Sequence, residues 1–288
     1  MLGQWLYRAV TALEARWYGF RHQHQCVGDT QLHWYDSAPD DADKPVLLLL
    51  HGFSADKTLW LRFARHFTQH YRVLIPDLPG HGESSYLPRA GYALDDYIRI
   101  LLHWLDSLGV SRMVIAGNSM GGQIAAQLAA SHTARVEQVI LFDPSGLYGL
   151  TPSEHDQHLA RGENVFLMTS REDFRRFYPM TMARPPVMPG IVLSALADDY
   201  CRRRKQLAHL FDDFIASPAP DARFASSGVP VLIIWGKQDR LTHVSAASAW
   251  QVLRPDLKLI VWDDLGHMPM LEAPRRSAHA VSAFLSDC

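Results

Sequence analysis

The sequence predicts an α/β fold: a mostly parallel twisted sheet flanked by helices, with a helical cap inserted between core strands 6 and 7. Strand-length aliphatic runs alternate with helix-length stretches through most of the 288 residues. One of those runs, Val46–Leu50, is apolar at every position, as a strand covered on both faces requires. Between Gly146 and Gly228 no strand pattern occurs, and a segment of that length is too long for a loop.

Taken in order, residues 2–21 read as a helix. Leu2, Trp5, Leu6, Ala9, Val10, Leu13 and Trp17 gather on one side, with Arg8, Arg16 and Arg21 near the other. This N-terminal unit, residues 1–26, is amphipathic. Tryptophans beside arginines suit a helix lying in a membrane interface, and equally one packed on its own domain or on a partner subunit. A short edge strand is expected at residues 31–35, then the strand Val46–Leu50, a helix at 59–67 and a strand at 71–75. A helix at 94–108 ends at Gly109, a suitable cap. A strand at 112–116, a helix at 121–130 and a strand at 139–142 follow. Strands at 231–235 and 257–262, each with a helix after it, complete the core. The core thus comprises residues 27–146 and 229–288, and the cap residues 147–228. Within the cap, Phe174, Phe177, Tyr178, Met180 and Met182 lie close together, and residues 200–214 look helical.

Hydrophobic residues make up 48 % of the chain and charged residues 20 %, the balance of an ordinary globular domain. With 28 basic against 30 acidic residues, the net charge of -2 gives no reason to expect nucleic acid as a partner. The three cysteines, Cys26, Cys201 and Cys288, form no CxxC, so neither a zinc site nor a disulfide framework is inferred. The apolar runs are too short for a transmembrane helix. Arg8, Glu14 and Arg16 interrupt the first stretch, which argues against a secretory signal. A cytoplasmic location is expected, with residues 2–21 as the point of any peripheral membrane contact. The oligomeric state stays open.

The chemistry centres on Gly117-Asn118-Ser119-Met120-Gly121, a G-x-S-x-G between an apolar strand and a small-residue helix. In that context the pentapeptide is a nucleophile elbow, a tight turn that exposes the serine at the carboxyl end of the sheet. A serine hydroxyl needs a base. Of fifteen histidines, His267 lies in Gly266-His267-Met268-Pro269, just past the last strand, and so at the same edge. Asp239, in the loop after the strand at 231–235, is placed to orient that imidazole. Its rivals are Asp143, at the end of the preceding strand, and Asp263 and Asp264, at the end of the following one. For the oxyanion, the backbone N–H groups of Phe53 and Met120 are the expected donors. His51 and His81 are read as bracing turns. Phe174, Phe177 and Met180 are expected to enclose an acyl chain, and no metal or organic cofactor is required.

Several motifs, in this order and spacing, resemble the α/β-hydrolase superfamily. They are His51-Gly52-Phe53-Ser54, Pro76-Asp77-Leu78-Pro79-Gly80-His81-Gly82, Asn118-Ser119-Met120-Gly121-Gly122-Gln123, Ile234-Trp235-Gly236-Lys237-Gln238-Asp239 and Gly266-His267. His51 to Ala55 with Lys57 and Trp60 is most similar to the monoacylglycerol lipase branch. The resemblance runs from about Val46 to the C-terminus and is weakest in the cap. It implies an esterase or lipase acting on monoacylglycerols or on short and medium acyl esters. A carbon–carbon bond hydrolase of ring-cleavage products shares the triad, but its oxyanion loop usually reads H-G-x-G-P-G, which this chain lacks. A non-catalytic binding protein of the same fold commonly loses a triad member, and this chain keeps all of them.

Overall fold

The computed structural model describes residues 2–41 and 43–287. Helix α1 (Leu2–Trp17) precedes a single sheet of eight strands. These are β1 (Arg21–Val27), β2 (Thr30–Asp36), β3 (Val46–Leu50), β4 (Arg72–Pro76), β5 (Met113–Asn118), β6 (Val136–Phe142), β7 (Val231–Gly236) and β8 (Lys258–Trp262). Their order across the sheet is β1-β2-β4-β3-β5-β6-β7-β8. The pairs β1–β2 and β2–β4 are antiparallel, and every other neighbouring pair is parallel.

All five residues of β3 are buried, and they divide by the two-residue period of a strand. Leu48 and Leu50 join one core with Ile115, Val139 and Ile233, under α3 (Leu94–Ser107) and α4 (Met120–Ser131). Leu47 and Leu49 join the opposite core with Val114, Ile140 and Ile234. That second face is covered by α2 (Leu61–Ala64) and, after the cap, by α10 (Pro269–Glu272) and α11 (Pro274–Ser286). A sheet sandwiched in this way fixes the height of every strand end, and the strand ends carry the chemistry.

Between β6 and β7 lie α5 (Glu154–Leu159), α6 (Arg171–Phe177), α7 (Gly190–Ile215) and α8 (Ala222–Ala225), with no strand among the described residues of this segment. The first two start on capping boxes, Ser153 with Asp156 and Ser170 with Asp173. Helix α9 (Ala246–Leu253) follows β7. Helix α7 has 26 residues and begins ten residues earlier than the apolar spacing at 200–214 suggested. Its first turns are held by α1 rather than by the sheet: a side chain at Gly3 would lie 2.2 Å from the Ile191 carbonyl oxygen, so the two helices touch backbone to backbone.

The N-terminal unit departs from its expected extent. The helix stops at Trp17 and does not run to residue 26, because the chain turns at Gly19, at φ +84°. Residues Arg21–Val27 then alternate from His22 on, with His22, His24 and Cys26 exposed and Gln23, Gln25 and Val27 partly or fully buried, and they pair along their whole length with β2. The expected edge strand, β2, consequently lies one place inside the edge. Residues 59–67 form only a short α-helix, α2, entered through a 3₁₀ turn at Lys57–Trp60 and followed by turns.

Candidate active site

Strand β5 ends in the elbow. Ser119 has φ 55° and ψ −118°, a conformation that side chains rarely adopt. The turn is tight enough to specify its flanks. A Cβ on Gly117 would sit 2.1 Å from the Gly121 carbonyl oxygen, and one on Gly121 would sit 2.4 Å from that of Leu50. The Ser119 N–H donates to Phe142 O (3.0 Å), and its own carbonyl accepts from Ser145 N and Gln123 N at 3.1 Å each. Backbone hydrogen bonds from two neighbouring segments therefore hold the strained residue. Met120 heads α4, and a first-turn N–H has no acceptor within its helix.

Asp239 and His267 meet in the loops after β7 and β8. The His267 Nδ1–H donates to Asp239 Oδ2 at 2.6 Å, and both side chains are buried. That bond fixes the tautomer and leaves Nε2 as the basic nitrogen. Asp239 acts purely as an acceptor. Its Oδ1 receives the N–H groups of Leu241 (2.7 Å) and Thr242 (3.0 Å), and its Oδ2 receives the Thr242 hydroxyl (2.7 Å). Asn118 ties the nucleophile's strand to the base: its Nδ2 donates to His267 O at 2.9 Å and to Phe142 O at 3.0 Å. Two of the three rivals lie elsewhere, and the third stands beside Asp239. Asp263 is an exposed ion-pair partner of Lys237, and Asp264 pairs with Arg276. Asp143 is fully buried beside Asp239, with its Oδ1 accepting from Gly236 N at 2.8 Å.

The loop after β3 carries Phe53 and is braced from beneath. His51 Nε2 accepts from Leu78 N (3.0 Å), so its Nδ1 bears the proton and donates to Gly52 O (2.8 Å). Burial pushes the His51 pKa down, which keeps the ring neutral. His81 is likewise pushed down by burial, with His51 adding to the effect. Both are turn braces, as expected. Below them Asp77 accepts from Lys57 N (2.7 Å) and Lys57 Nζ (2.6 Å). Burial opposes the Lys57 charge, but Asp77 and Glu83 outweigh it and its pKa is raised.

Ser119, Met120 and Phe53 share a cavity of about 340 Å³ between the sheet rim and the cap. A larger one of about 920 Å³ lies beneath α1, among Tyr7, Lys57, Asp77 and Arg203, and none of the candidate triad lines it. Phe174, Phe177 and Met180 do not line the Ser119 cavity. They are 4 %, 5 % and 3 % exposed and form a cap core with Met168 and Ala197, behind Phe166 and Leu241, which belong both to this core and to the cavity lining. The reason is packing: Phe174 and Phe177 lie against Tyr200 of α7, and Phe166 stands between Phe177 and the cavity. The cavity's apolar wall is instead Phe166, Phe211, Phe214, Ile215, Leu147 and Leu241, with His155 among them. Burial pushes the His155 pKa down to about 4, so it enters this wall uncharged. Thr242 and Asn118 are further site residues that motif reading assigned no role. The Asp239-to-Thr242 spacing of an Asx-type turn is the one local signal for the first.

Comparison with known proteins agrees with this fold. The family model of alpha/beta hydrolases matches residues 47–280. Lipase 1 of Psychrobacter immobilis is 30 % identical over 243 residues, 83 % of this chain and 76 % of that protein. Monoacylglycerol lipase ABHD6 of Homo sapiens is 24 % identical over 294 residues, covering 98 % of this chain and 85 % of its own. Among solved structures, a membrane phospholipase A described as a bacterial virulence factor aligns with a TM-score of 0.93 at 31 % identity, over 99 % of this chain and 92 % of that one.

Proposed function

The chain belongs to the alpha/beta hydrolase family, and we propose that it works there as a serine hydrolase of carboxylic esters, with Ser119 as nucleophile, His267 as base and Asp239 as the orienting acid. The observation that carries this reading is a strained, cavity-facing Ser119 in the turn after β5, whose last residue, Asn118, is bonded through its side chain to the backbone of a buried Asp239–His267 pair. Ser119 Oγ attacks the ester carbonyl carbon while His267 Nε2 takes its proton. The N–H groups of Phe53 and Met120 receive the oxyanion. The tetrahedral adduct collapses as His267 returns the proton to the leaving alcohol, which leaves an acyl-serine. Water, deprotonated by His267, repeats the sequence and releases the acid. Asp239 stabilises the imidazolium in both halves.

The cavity volume lies at the lower end of the range for ligand pockets, and its wall is mostly aromatic and aliphatic. That favours a single acyl chain: a monoacylglycerol or a short to medium acyl ester. A graded panel of p-nitrophenyl esters, mono-, di- and triacylglycerols tests this. Turnover concentrated on single-chain esters is expected; preference for triacylglycerols, or for a coloured ring-cleavage dienoate over every ester, contradicts it.

Helix α1 bears on where the substrate is met. No helix among the described residues is long and apolar enough to cross a membrane. Yet Leu2, Trp5, Val10, Leu13 and Trp17 are 53–86 % exposed, while the opposite face docks: Tyr7 bonds Thr58 (2.9 Å) and Glu14 bonds Arg62 (2.8 Å). The apolar side therefore looks outward, flanked by Arg8 and Arg16, and the reading is peripheral contact of residues 2–21 with an anionic bilayer on the cytoplasmic side. Replacing Trp5 and Trp17 by Ser lowers co-sedimentation with anionic vesicles; equal sedimentation removes the idea.

A further inference from the structure

Asp143 ends β6 inside the site, and the ester mechanism gives it no task. Its backbone lies at φ 44°, with its N–H on Ile234 O at 3.0 Å, so the side chain is held by its own strand end. Oδ1 is satisfied by the Gly236 N–H. Oδ2 is buried, and no donor among the described residues faces it. What stands nearby is another acceptor. An oxygen of Asp143, an oxygen of Asp239 and a ring nitrogen of His267 lie within 4.8 Å of one another. The two carboxyl groups thus share one dry spot with opposite equipment: Asp239 has four donors around it, Asp143 has one.

Two ionised carboxylates at that separation, away from water, repel strongly, and a buried oxygen without a partner is costly. A single proton removes both penalties. We propose that Asp143 is a positioning residue that keeps a proton on Oδ2 and donates it in a hydrogen bond to Asp239, so that the pair presents one negative charge to His267. This rests on the reading of Ser119, His267 and Asp239 as the triad. Burial first, and then the charge of Asp239, hold the Asp143 carboxyl well above the usual carboxylate range, in the same direction. The titratable groups around it are Asp239 from the loop after β7, His267 from the loop after β8, and Glu272 from α10, itself raised by burial.

The proton stays on Asp143 throughout the cycle, and no bond to substrate involves it. It pins Asp239 with Oδ2 on the His267 Nδ1–H. The imidazolium formed during attack then keeps its Nδ1 proton and faces one compensating charge.

Asp143→Asn is the discriminating variant, because an amide reproduces a neutral acid: Oδ1 accepts from Gly236 and Nδ2 donates to Asp239. Asp143→Leu keeps bulk and removes the donor. Misalignment of a catalytic group by about 1 Å costs about 100-fold, so Asp143→Leu should lower kcat by roughly 10- to 100-fold with KM little changed. Asp143→Asn should restore kcat to within about threefold of the parent, a rescue that a merely space-filling role would not produce. Infrared difference spectra of the parent at neutral pH should show a protonated-carboxyl band that is missing from Asp143→Asn. The proposal is overturned if Asp143→Asn is as slow as Asp143→Leu, or if the parent lacks that band. Should Asp143→Leu not fold, the Asn kinetics and the spectrum decide. Fluorophosphonate labelling keeps the two readings apart: Ser119 labelled with a failed rescue sinks only the role of Asp143, whereas a band present with Ser119 unlabelled sinks the triad.

Discussion

At the carboxyl rim of the sheet, backbone geometry dictates residue identity: Gly117 and Gly121 are admitted because anything larger would strike a carbonyl, and Ser119 is held at positive φ between two loops. In the cap the constraint is looser. Met168, Phe174, Phe177 and Met180 are required only to be apolar and to fill space against α7, and they are buried nearly as completely as the strand residues. The rim therefore leaves short, ordered motifs in the sequence, and the cap leaves composition alone. On the function proposed above, chemistry sits in the first region and substrate choice in the second.

If that division is right, changes at the rim act on turnover, and changes in the cap act on stability or on chain-length preference according to which side of the cap they touch. The largest effect is expected for Ser119→Ala, a loss of about three or more orders of magnitude in kcat with an unchanged melting temperature. Retained ester turnover would move the nucleophile elsewhere. In the cap, Phe174→Ala should cost about 3 kcal/mol or more of stability, read by denaturant titration, because the ring is buried among Tyr178, Tyr200 and Phe177. Phe211→Ala, on the cavity wall, should instead shift the preferred acyl length by roughly 10-fold or more in kcat/KM ratio. An exchange of those two phenotypes would break the distinction between cap core and cavity wall.

A further expected effect is a pH dependence. An acid whose folded pKa is raised stabilises the fold fully below its unfolded pKa and loses that contribution as pH climbs toward the folded value. Asp143 is such an acid. The stability advantage of Asp143→Asn over the parent should therefore grow above about pH 4, by at most about 1.4 kcal/mol per pH unit. A difference flat with pH would mean that Asp143 is ionised in the folded protein.

The same division explains what could be read before the structure. Order and type of the core strands, the elbow and the pairing of Asp239 with His267 were legible, because each depends on neighbours close in sequence or on a fixed loop position in a parallel sheet. Phe174, Phe177 and Met180 were expected in the pocket and lie behind it, since which way a cap helix faces depends on α7 and α1, far away in the chain. Residues 21–26 fall to the N-terminal helical unit in the sequence reading because Arg-His-Gln-His-Gln carries little apolar alternation; pairing with β2 makes Arg21–Val27 a strand. Thr242 and Asn118 carry no chemistry of their own, only bonds to residues that do.

The most direct measurement is mass mapping of the fluorophosphonate adduct on the full chain, with His267→Ala as the comparison. The account predicts one adduct, on Ser119, formed rapidly in the parent and scarcely at all without the imidazole. An adduct on another residue, or equal labelling of Ser119 in the His267→Ala protein, would contradict it.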